Sequence, residues 1–292
     1  MGQYVSPELQ QWIREQTASG YKRTDLLKAM IDTGWRENVA AEAIDALLTP
    51  VKRRHHTAGS AASRLPERLK VPSLALDGSP LYLDAGDRQV AVLGVVKHPT
   101  IVILGDLLSH EECDAVIEAA RPSMARSKVL DMDNAESKVD SARTSNGTYF
   151  ERGQNEVLAR IEARIARLVS WPVENGEGIQ VLQYGPGAEY KPHYDYFDPR
   201  EPGTATILKR GGGQRVATVV MYLSEPTRGG GTLFPDVGFE VGPKKGQGVF
   251  FTYDRPHPSS RSLHGGSPVV EGEKWIATKW LREGEFTRRP VD

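Results

Sequence analysis

The chain has 292 residues, with 37 basic and 38 acidic side chains, a net charge of −1 and 39% hydrophobic content. That balance supplies enough apolar material for a sizeable core and argues against bulk electrostatic capture of nucleic acid or an anionic membrane. The single cysteine, Cys113, cannot close an internal disulfide, and no apolar stretch near Met1 would serve as a signal peptide or span a bilayer, so a cytoplasmic, reducing setting is expected.

Residues 1–48 predict a small three-helix module. Ser6-Pro7-Glu8 opens the first helix with a cap, a first-turn proline and an acid at the positive end, and Gly20 stops it. Thr24-Asp25 opens a second helix with Leu27, Met30 and Ile31 inward, and Asn38 caps a third with Val39, Ala43, Ile44 and Leu47 inward. Residues 49–72, with Lys52-Arg53-Arg54-His55-His56 and a run of small residues, read as a solvated basic linker.

From residue 73 to 292 the pattern predicts one large domain. Val90-Ala91-Val92-Leu93 and Ile101-Val102-Ile103-Leu104 predict strands. Ser109-His110-Glu111-Glu112 is a capping box that opens a helix burying Cys113, Val116 and Ile117. A second helix over 155–169 carries Val157, Leu158, Ile161, Ile165 and Leu168 as one stripe. The remainder is strand-rich, with strands at 178–184, 217–223, 231–234, 248–253 and 276–281, joined by glycine-rich turns rather than helices. Parallel βαβ winding needs helical crossovers, so an antiparallel, two-sheet barrel is expected. Gly211-Gly212-Gly213 and Gly229-Gly230-Gly231 lack the Lys-Ser/Thr sequel of a phosphate loop and read as turns at the barrel rim; residues 198–213 read as a loop that closes over substrate.

The chemistry is concentrated in His193-Tyr194-Asp195, His264 and Lys274. Side chains at i and i+2 of an extended segment point the same way, so His193 and Asp195 can reach one metal from one short stretch. A His-X-Asp pair alone usually marks a polar loop or surface strand. With His264 from another strand, two imidazoles and a carboxylate can cover one face of an octahedral Fe(II) and leave the other open. Lys274 then stands ready for the far carboxylate of a dicarboxylic 2-oxo acid. Asp198 falls off the strand face of His193, His257 sits between prolines in a rim loop, and His98 and His110 have no carboxylate at a matching spacing.

Five blocks in order carry a family resemblance: Gln183-Tyr184-Gly185-Pro186-Gly187 through Lys191-Pro192-His193-Tyr194-Asp195; Gly213-Gln214-Arg215-Val216-Ala217-Thr218 with Met221-Tyr222-Leu223; Gly230-Gly231-Thr232-Leu233-Phe234-Pro235; Leu263-His264-Gly265-Gly266; and Gly272-Glu273-Lys274-Trp275-Ile276 to Leu281. They resemble the prolyl 4-hydroxylases of the iron(II)- and 2-oxoglutarate-dependent dioxygenases, in particular the bacterial members. The resemblance implies a mainly β domain with flanking helices, the double-stranded β-helix or jelly-roll, with the site at one open end. It implies Fe(II) on His193, Asp195 and His264, the cosubstrate 2-oxoglutarate on Lys274 and Tyr184, O₂ as second cosubstrate, and ascorbate as the reductant that rescues oxidised iron. Tyr190, Arg215 and Trp280 match positions lining the groove for a proline-containing peptide, and Arg143 falls in a similar block without a stated role. The implied reaction is 4-hydroxylation of prolyl residues coupled to decarboxylation of 2-oxoglutarate to succinate and CO₂. Two other readings stand beside it: a hydroxylase of a free amino acid or other small molecule, and a barrel without catalysis that serves as a protein-binding module. Oligomeric state is left open.

Overall fold

The computed structural model describes residues 12–13, 16–17, 21–33, 35, 37–48, 65–126, 128–130, 137–139, 144–209 and 211–287. The chain divides into two compact units, Met1–Ser63 and Arg64–Asp292. The expected start of the first helix at Ser6, most of the linker and Arg143 lie outside the described residues.

In the first unit, Trp12, Ile13, Gln16 and Thr17 are helical, followed by α1 (Arg23–Asp32) and α2 (Glu37–Leu48). Asp25 starts α1 by accepting the Lys22 backbone N–H at 3.0 Å, which satisfies one orphan donor of the first turn. Ile13, Leu26, Met30, Ala40, Ala43 and Ile44 form the core. Leu26 and Met30, one turn apart, make the buried stripe, whereas Ile31, expected inward, is exposed. Helix α2 begins before Asn38, which therefore sits in its first turn and is not its cap.

The second unit is mainly β. Its strands are β1 (Tyr82–Asp84), β2 (Gln89–Val96), β3 (Ile101–Gly105), β4 (Ala125–Arg126), β5 (Lys128–Leu130), β6 (Ser137–Val139), β7 (Asn146–Phe150), β8 (Gly176–Tyr184) and β9 (Tyr190–His193). They continue as β10 (Arg215–Tyr222), β11 (Arg228–Gly229), β12 (Thr232–Phe234), β13 (Phe239–Val241), β14 (Gly248–Thr252), β15 (His264–Gly266), β16 (Val269–Glu271) and β17 (Lys274–Arg282). Nine of them form a large sheet in the order β1-β2-β3-β14-β10-β17-β8-β7-β4, and four form a smaller sheet, β13-β12-β15-β9. Every pairing within these two sheets is antiparallel, as the glycine-rich connections require.

Alternation along the central strands builds two cores. On β10, Ala217, Val219 and Met221 point to one face, and Val220 and Tyr222 to the other. The first face is covered by α3 (His110–Ala120) and α4 (Glu156–Leu168). Ser109 caps α3 as the motif requires, accepting from Glu112 N at 3.1 Å while Glu112 Oε2 accepts from Ser109 N at 3.0 Å. Asn155 caps α4 through Leu158 N. Cys113, Val116 and Ile117 join Leu158, Ile161, Ile165 and Leu168 against the sheet, each large aliphatic contributing about 2 kcal/mol by leaving water. Cys113 is a core residue, its thiol pushed up to about 11 by burial.

Buried charges fasten this layer. Arg164 of α4 bonds Glu112 of α3, Asp87 and the Leu107 carbonyl, and Lys279 of β17 meets Glu162 of α4 at 2.5 Å. The boundary expected at residue 73 shifts earlier. Leu69 and Val71 pack on the core, and Leu69 N donates to the Asp254 carbonyl at 2.7 Å, because apolar side chains at alternate positions can join a sheet domain without being a strand. The second core lies between the two sheets and holds Leu182, Tyr184, Val220, Phe234, Phe251 and Ile276. The mainly β arrangement with helices on one face agrees with a double-stranded β-helix.

Candidate metal and cosubstrate site

His193 ends β9 and His264 begins β15, and the two residues stand directly opposite each other in the register of the smaller sheet. Their rings lie 4.4 Å apart. Asp195, two residues beyond His193, completes the group: its Oδ1 is 3.6 Å from His193 Nε2 and its Oδ2 is 3.4 Å from His264 Nε2. One ligand atom from each of the three falls within 4.8 Å of the others. Gly265 permits the close strand approach, since a Cβ there would meet the Tyr190 carbonyl at 2.8 Å.

Both imidazoles are turned the same way. His193 Nδ1 lies 3.0 Å from the Lys191 carbonyl and His264 Nδ1 lies 3.0 Å from the Ser262 carbonyl. A carbonyl only accepts, so each Nδ1 carries the proton and each Nε2 presents its lone pair to the cluster. Burial pushes His264 down to about 4 against the opposing pull of Asp195, which keeps that ring neutral and able to ligate. Burial also opposes ionisation of Asp195, but the facing His264, His193 and Arg215 outweigh it and hold the carboxyl well below the usual range. Two nitrogens and one anionic oxygen converging on a point suit a divalent transition metal.

The cluster borders a pocket that is partly open to solvent. Lys274, Ile276, Thr278 and Trp280 enter it at every second position of β17, and Thr218 and Val220 do the same from β10. Lys274 is 2% exposed; its Nζ donates to the Gly230 carbonyl at 2.7 Å and lies 4.7 Å from the centre of the Tyr184 ring. Burial pushes it down to about 8, with Glu240 pulling the other way. Among the described residues no carboxylate comes within ion-pair distance of Lys274. Tyr184 is buried in the same wall, opposite Lys274 in the β8–β17 register.

A family model described as the 2OG-Fe(II) oxygenase superfamily matches residues 179–282. Prolyl 4-hydroxylase 5 of Arabidopsis thaliana is 42% identical over 222 residues, covering 69% of this chain and 74% of that one. The chain belongs to the prolyl 4-hydroxylase family. Prolyl 4-hydroxylase 2 of the same plant is 38% identical over 217 residues, covering 66% and 71%. Among solved structures, a viral collagen prolyl hydroxylase from Paramecium Bursaria Chlorella virus-1, in complex with 2OG, is similar at a TM-score of 0.50 and 30% identity, covering 65% of this chain and 99% of that one. The family is one of Fe(II)- and 2-oxoglutarate-dependent dioxygenases, and the donor set fits that metal.

The positions expected to touch peptide divide in this prolyl 4-hydroxylase family member. Tyr190 stacks on His193 with ring centres 3.8 Å apart, and Trp280 lines the cavity. Arg215 lies behind that wall. Its Nε and Nη2 bind both oxygens of Glu177 at 2.6 and 2.9 Å, its guanidinium covers the Trp280 ring at 3.9 Å, and its Nη1 reaches the Asp195 carbonyl at 3.5 Å. Glu177 is also bound by Arg282, and the two arginines hold it down at about 2 although burial opposes this. His257 is half-buried, bonded to Ser259 and apart from the cluster; His98 and His110 are exposed. The stretch 198–213 contains a helix, α5 (Thr204–Lys209), whose Ile207 packs on Phe197.

Thr218, Thr232 and Thr278 were missed from sequence. Parity would have found one of them: Thr278 is two steps of two from Lys274 on β17. Thr218 is an odd step from Arg215 on β10, and no recognised site residue shares β12 with Thr232.

Proposed function

We propose that the protein hydroxylates C4 of prolyl residues in a peptide or protein, consuming 2-oxoglutarate and O₂ and releasing succinate and CO₂. One observation carries the reading: a compact His193–Asp195–His264 donor set and a buried Lys274, without a carboxylate partner among the described residues, share one pocket. Iron(II) bound there supplies the oxidation of an unactivated C–H bond, coupled to decarboxylation of the 2-oxo acid.

The chain's own residues bind, orient and exclude. His193 and His264 present Nε2 because backbone carbonyls hold their Nδ1 protons. Lys274 gives its ammonium to the far carboxylate of 2-oxoglutarate in a charge-assisted hydrogen bond, beside Tyr184. Leu182, Val220 and Ile276 form an apolar wall that keeps water from the methylene segment between the two ends. Tyr190 and Trp280 offer aromatic surface for a proline ring in an extended segment, with Arg215 bracing Trp280 from behind.

The names of the Arabidopsis thaliana relatives and of the viral collagen prolyl hydroxylase support a prolyl substrate. The narrower likeness to bacterial members rests on the five sequence blocks. The same proposal includes a cytoplasmic setting, supported by the buried, unpaired Cys113, and a three-helix first unit, supported by the shared core of Ile13 with α1 and α2. Ascorbate as reductant and a role for that unit in presenting a client complete it.

The test begins with anaerobic loading of Fe(II) and titration with 2-oxoglutarate, following the visible charge-transfer band of the chelate. Succinate release is then measured on free proline and on proline-containing peptides of increasing length. Turnover of free proline with none on any peptide would move the assignment to the small-molecule reading. A protein that binds no Fe(II) under these conditions would be the non-catalytic binding module.

A further inference from the structure

Asp195 has a fixed partner on the opposite sheet. Thr218 Oγ1 donates to Asp195 Oδ2 at 2.6 Å, and the Tyr253 hydroxyl lies 2.9 Å from the same threonine oxygen. The three side chains are 5% (Asp195), 0% (Thr218) and 1% (Tyr253) exposed. Proton counting sets the direction. An ionised carboxylate only accepts, so the one hydroxyl proton of Thr218 goes to Asp195, and Tyr253 must donate to Thr218. The result is a one-way chain from Tyr253 through Thr218 to Asp195, in which each bond polarises the next.

The rigidity of the two ends differs. Thr218 lies within β10, opposite Phe251 of β14 on one side and Trp280 of β17 on the other, so its hydroxyl is held by the middle of the large sheet. Asp195 follows the end of β9 and is outside any strand. Both of its oxygens border the donor cluster, Oδ1 towards His193 and Oδ2 towards His264. A carboxylate free to turn there can offer either oxygen or both.

We infer that Tyr253 and Thr218 form a positioning relay that keeps one oxygen of Asp195 engaged and so makes it a one-oxygen ligand. The open face of an octahedral ion is then left for the two donor atoms of 2-oxoglutarate and for O₂. This rests on the metal reading above. Without the Thr218 bond the carboxylate can chelate through both oxygens and take a position the cosubstrate needs. Tyr253 lies behind Thr218 and outside the cavity lining, so it acts through Thr218 on Asp195.

The experiment uses the full chain with Co(II), which reports coordination in its visible spectrum without turnover. Wild type, Thr218→Val, Thr218→Ser, Tyr253→Phe and a His264→Ala control are compared by equilibrium dialysis, then by spectrum as 2-oxoglutarate is added. Thr218→Val is expected to weaken Co(II) binding roughly 10- to 100-fold, the usual scale for losing an outer partner of a metal ligand, and to alter the band intensity with 2-oxoglutarate. Thr218→Ser restores both, and Tyr253→Phe falls between. A bond that served folding alone would lower the melting temperature of the metal-free protein and leave Co(II) affinity and spectrum at wild-type values, which would overturn the relay. If Thr218→Val does not fold, Tyr253→Phe decides: wild-type affinity and spectrum overturn the relay, and a partial loss supports it. Failure of the wild type itself to bind Co(II) would overturn the metal reading and the relay together; a normal wild type beside a normal Thr218→Val overturns the relay only.

Discussion

Replacing Lys274 by alanine removes a buried cation from the wall of the pocket proposed for 2-oxoglutarate, and the size of the effect follows from its surroundings. Nζ has a carbonyl and an aromatic face but, among the described residues, no anion within ion-pair distance, and burial has already pushed it down to about 8. Holding a lysine at about 8 in place of its ordinary 10.5 corresponds to about 3 kcal/mol against the charged form. A dicarboxylate entering the cavity recovers that cost by pairing with it. Leaving the carboxylate unpaired in Lys274→Ala should cost about 3–5 kcal/mol, or roughly two to three and a half orders of magnitude in affinity for 2-oxoglutarate. The sign of the pH dependence is also set. In the free protein Lys274 loses its proton above about pH 8, so binding at higher pH must take up a proton and weakens as pH rises. Below pH 8 the lysine is charged and affinity is flat from this source. Without ligand, the depressed value means that the unfolded chain binds the extra proton between about pH 8 and 10.5, so this group's contribution to stability rises with pH in that window. Calorimetry with anaerobic Fe(II) protein in buffers of different ionisation enthalpy reads both affinity and proton uptake. Unchanged affinity in Lys274→Ala, or wild-type affinity that stays level from pH 7 to above 9 with no proton uptake, would refute the reasoning.

Three further outcomes are expected. Gly230→Ala should raise the KM for 2-oxoglutarate with little change in kcat: φ is +72° there, and the new methyl would stand 3.3 Å from Lys274 Cδ, so the backbone strain of about 1 kcal/mol is joined by a shifted ammonium. Glu162→Ala should lower stability by about 3–5 kcal/mol in chemical denaturation, because it strands Lys279 at 2% exposure, and equal stability would show that the pair is dispensable. Acid should unfold the protein through its helix and barrel anchors. Glu177 and Glu112 are each held down at about 2 against burial, by Arg215 with Arg282 and by Arg164, so their contribution is complete above about pH 4.5 and is lost as pH falls toward 2. Glu177→Gln should flatten that acid limb in a melting-temperature profile.

The sequence made the metal ligands readable because their chemistry depends on residue type and on a spacing that a strand enforces. Helices were readable where a cap announced them, as at Ser109, or an apolar stripe did, as over 155–169, and the central strands where β-branched runs met glycine turns. The parts it hid are those decided by which strand lies opposite which. Thr218 is an ordinary strand residue until β10 brings it under Asp195, and Arg215 looks like a peptide anchor until the fold puts Glu177 across from it at 2.6 Å. Ile31 was misplaced because a short helix with apolar residues on adjacent steps offers two stripes, and only contact with Ile13 and Ile44 selects the one through Leu26 and Met30. The far end of the linker was misread for a related reason: Leu69 and Val71 are too few to show a period, yet enough to bury.

The facing pair His193 and His264 belongs to the four-stranded sheet, whereas Asp195 is tied through Thr218 to the nine-stranded one. An ion held by all three is therefore a rivet between two layers that also meet through an apolar core and the Tyr222 hydroxyl bond to Thr232. Metal loading should tighten the open end of the barrel and raise the melting temperature by an amount set by free metal over Kd. Chelation should loosen that end first, so the apo protein would lose the shape of its cosubstrate pocket before it loses its fold. The supply of iron would then govern the mechanical integrity of the site as well as its chemistry.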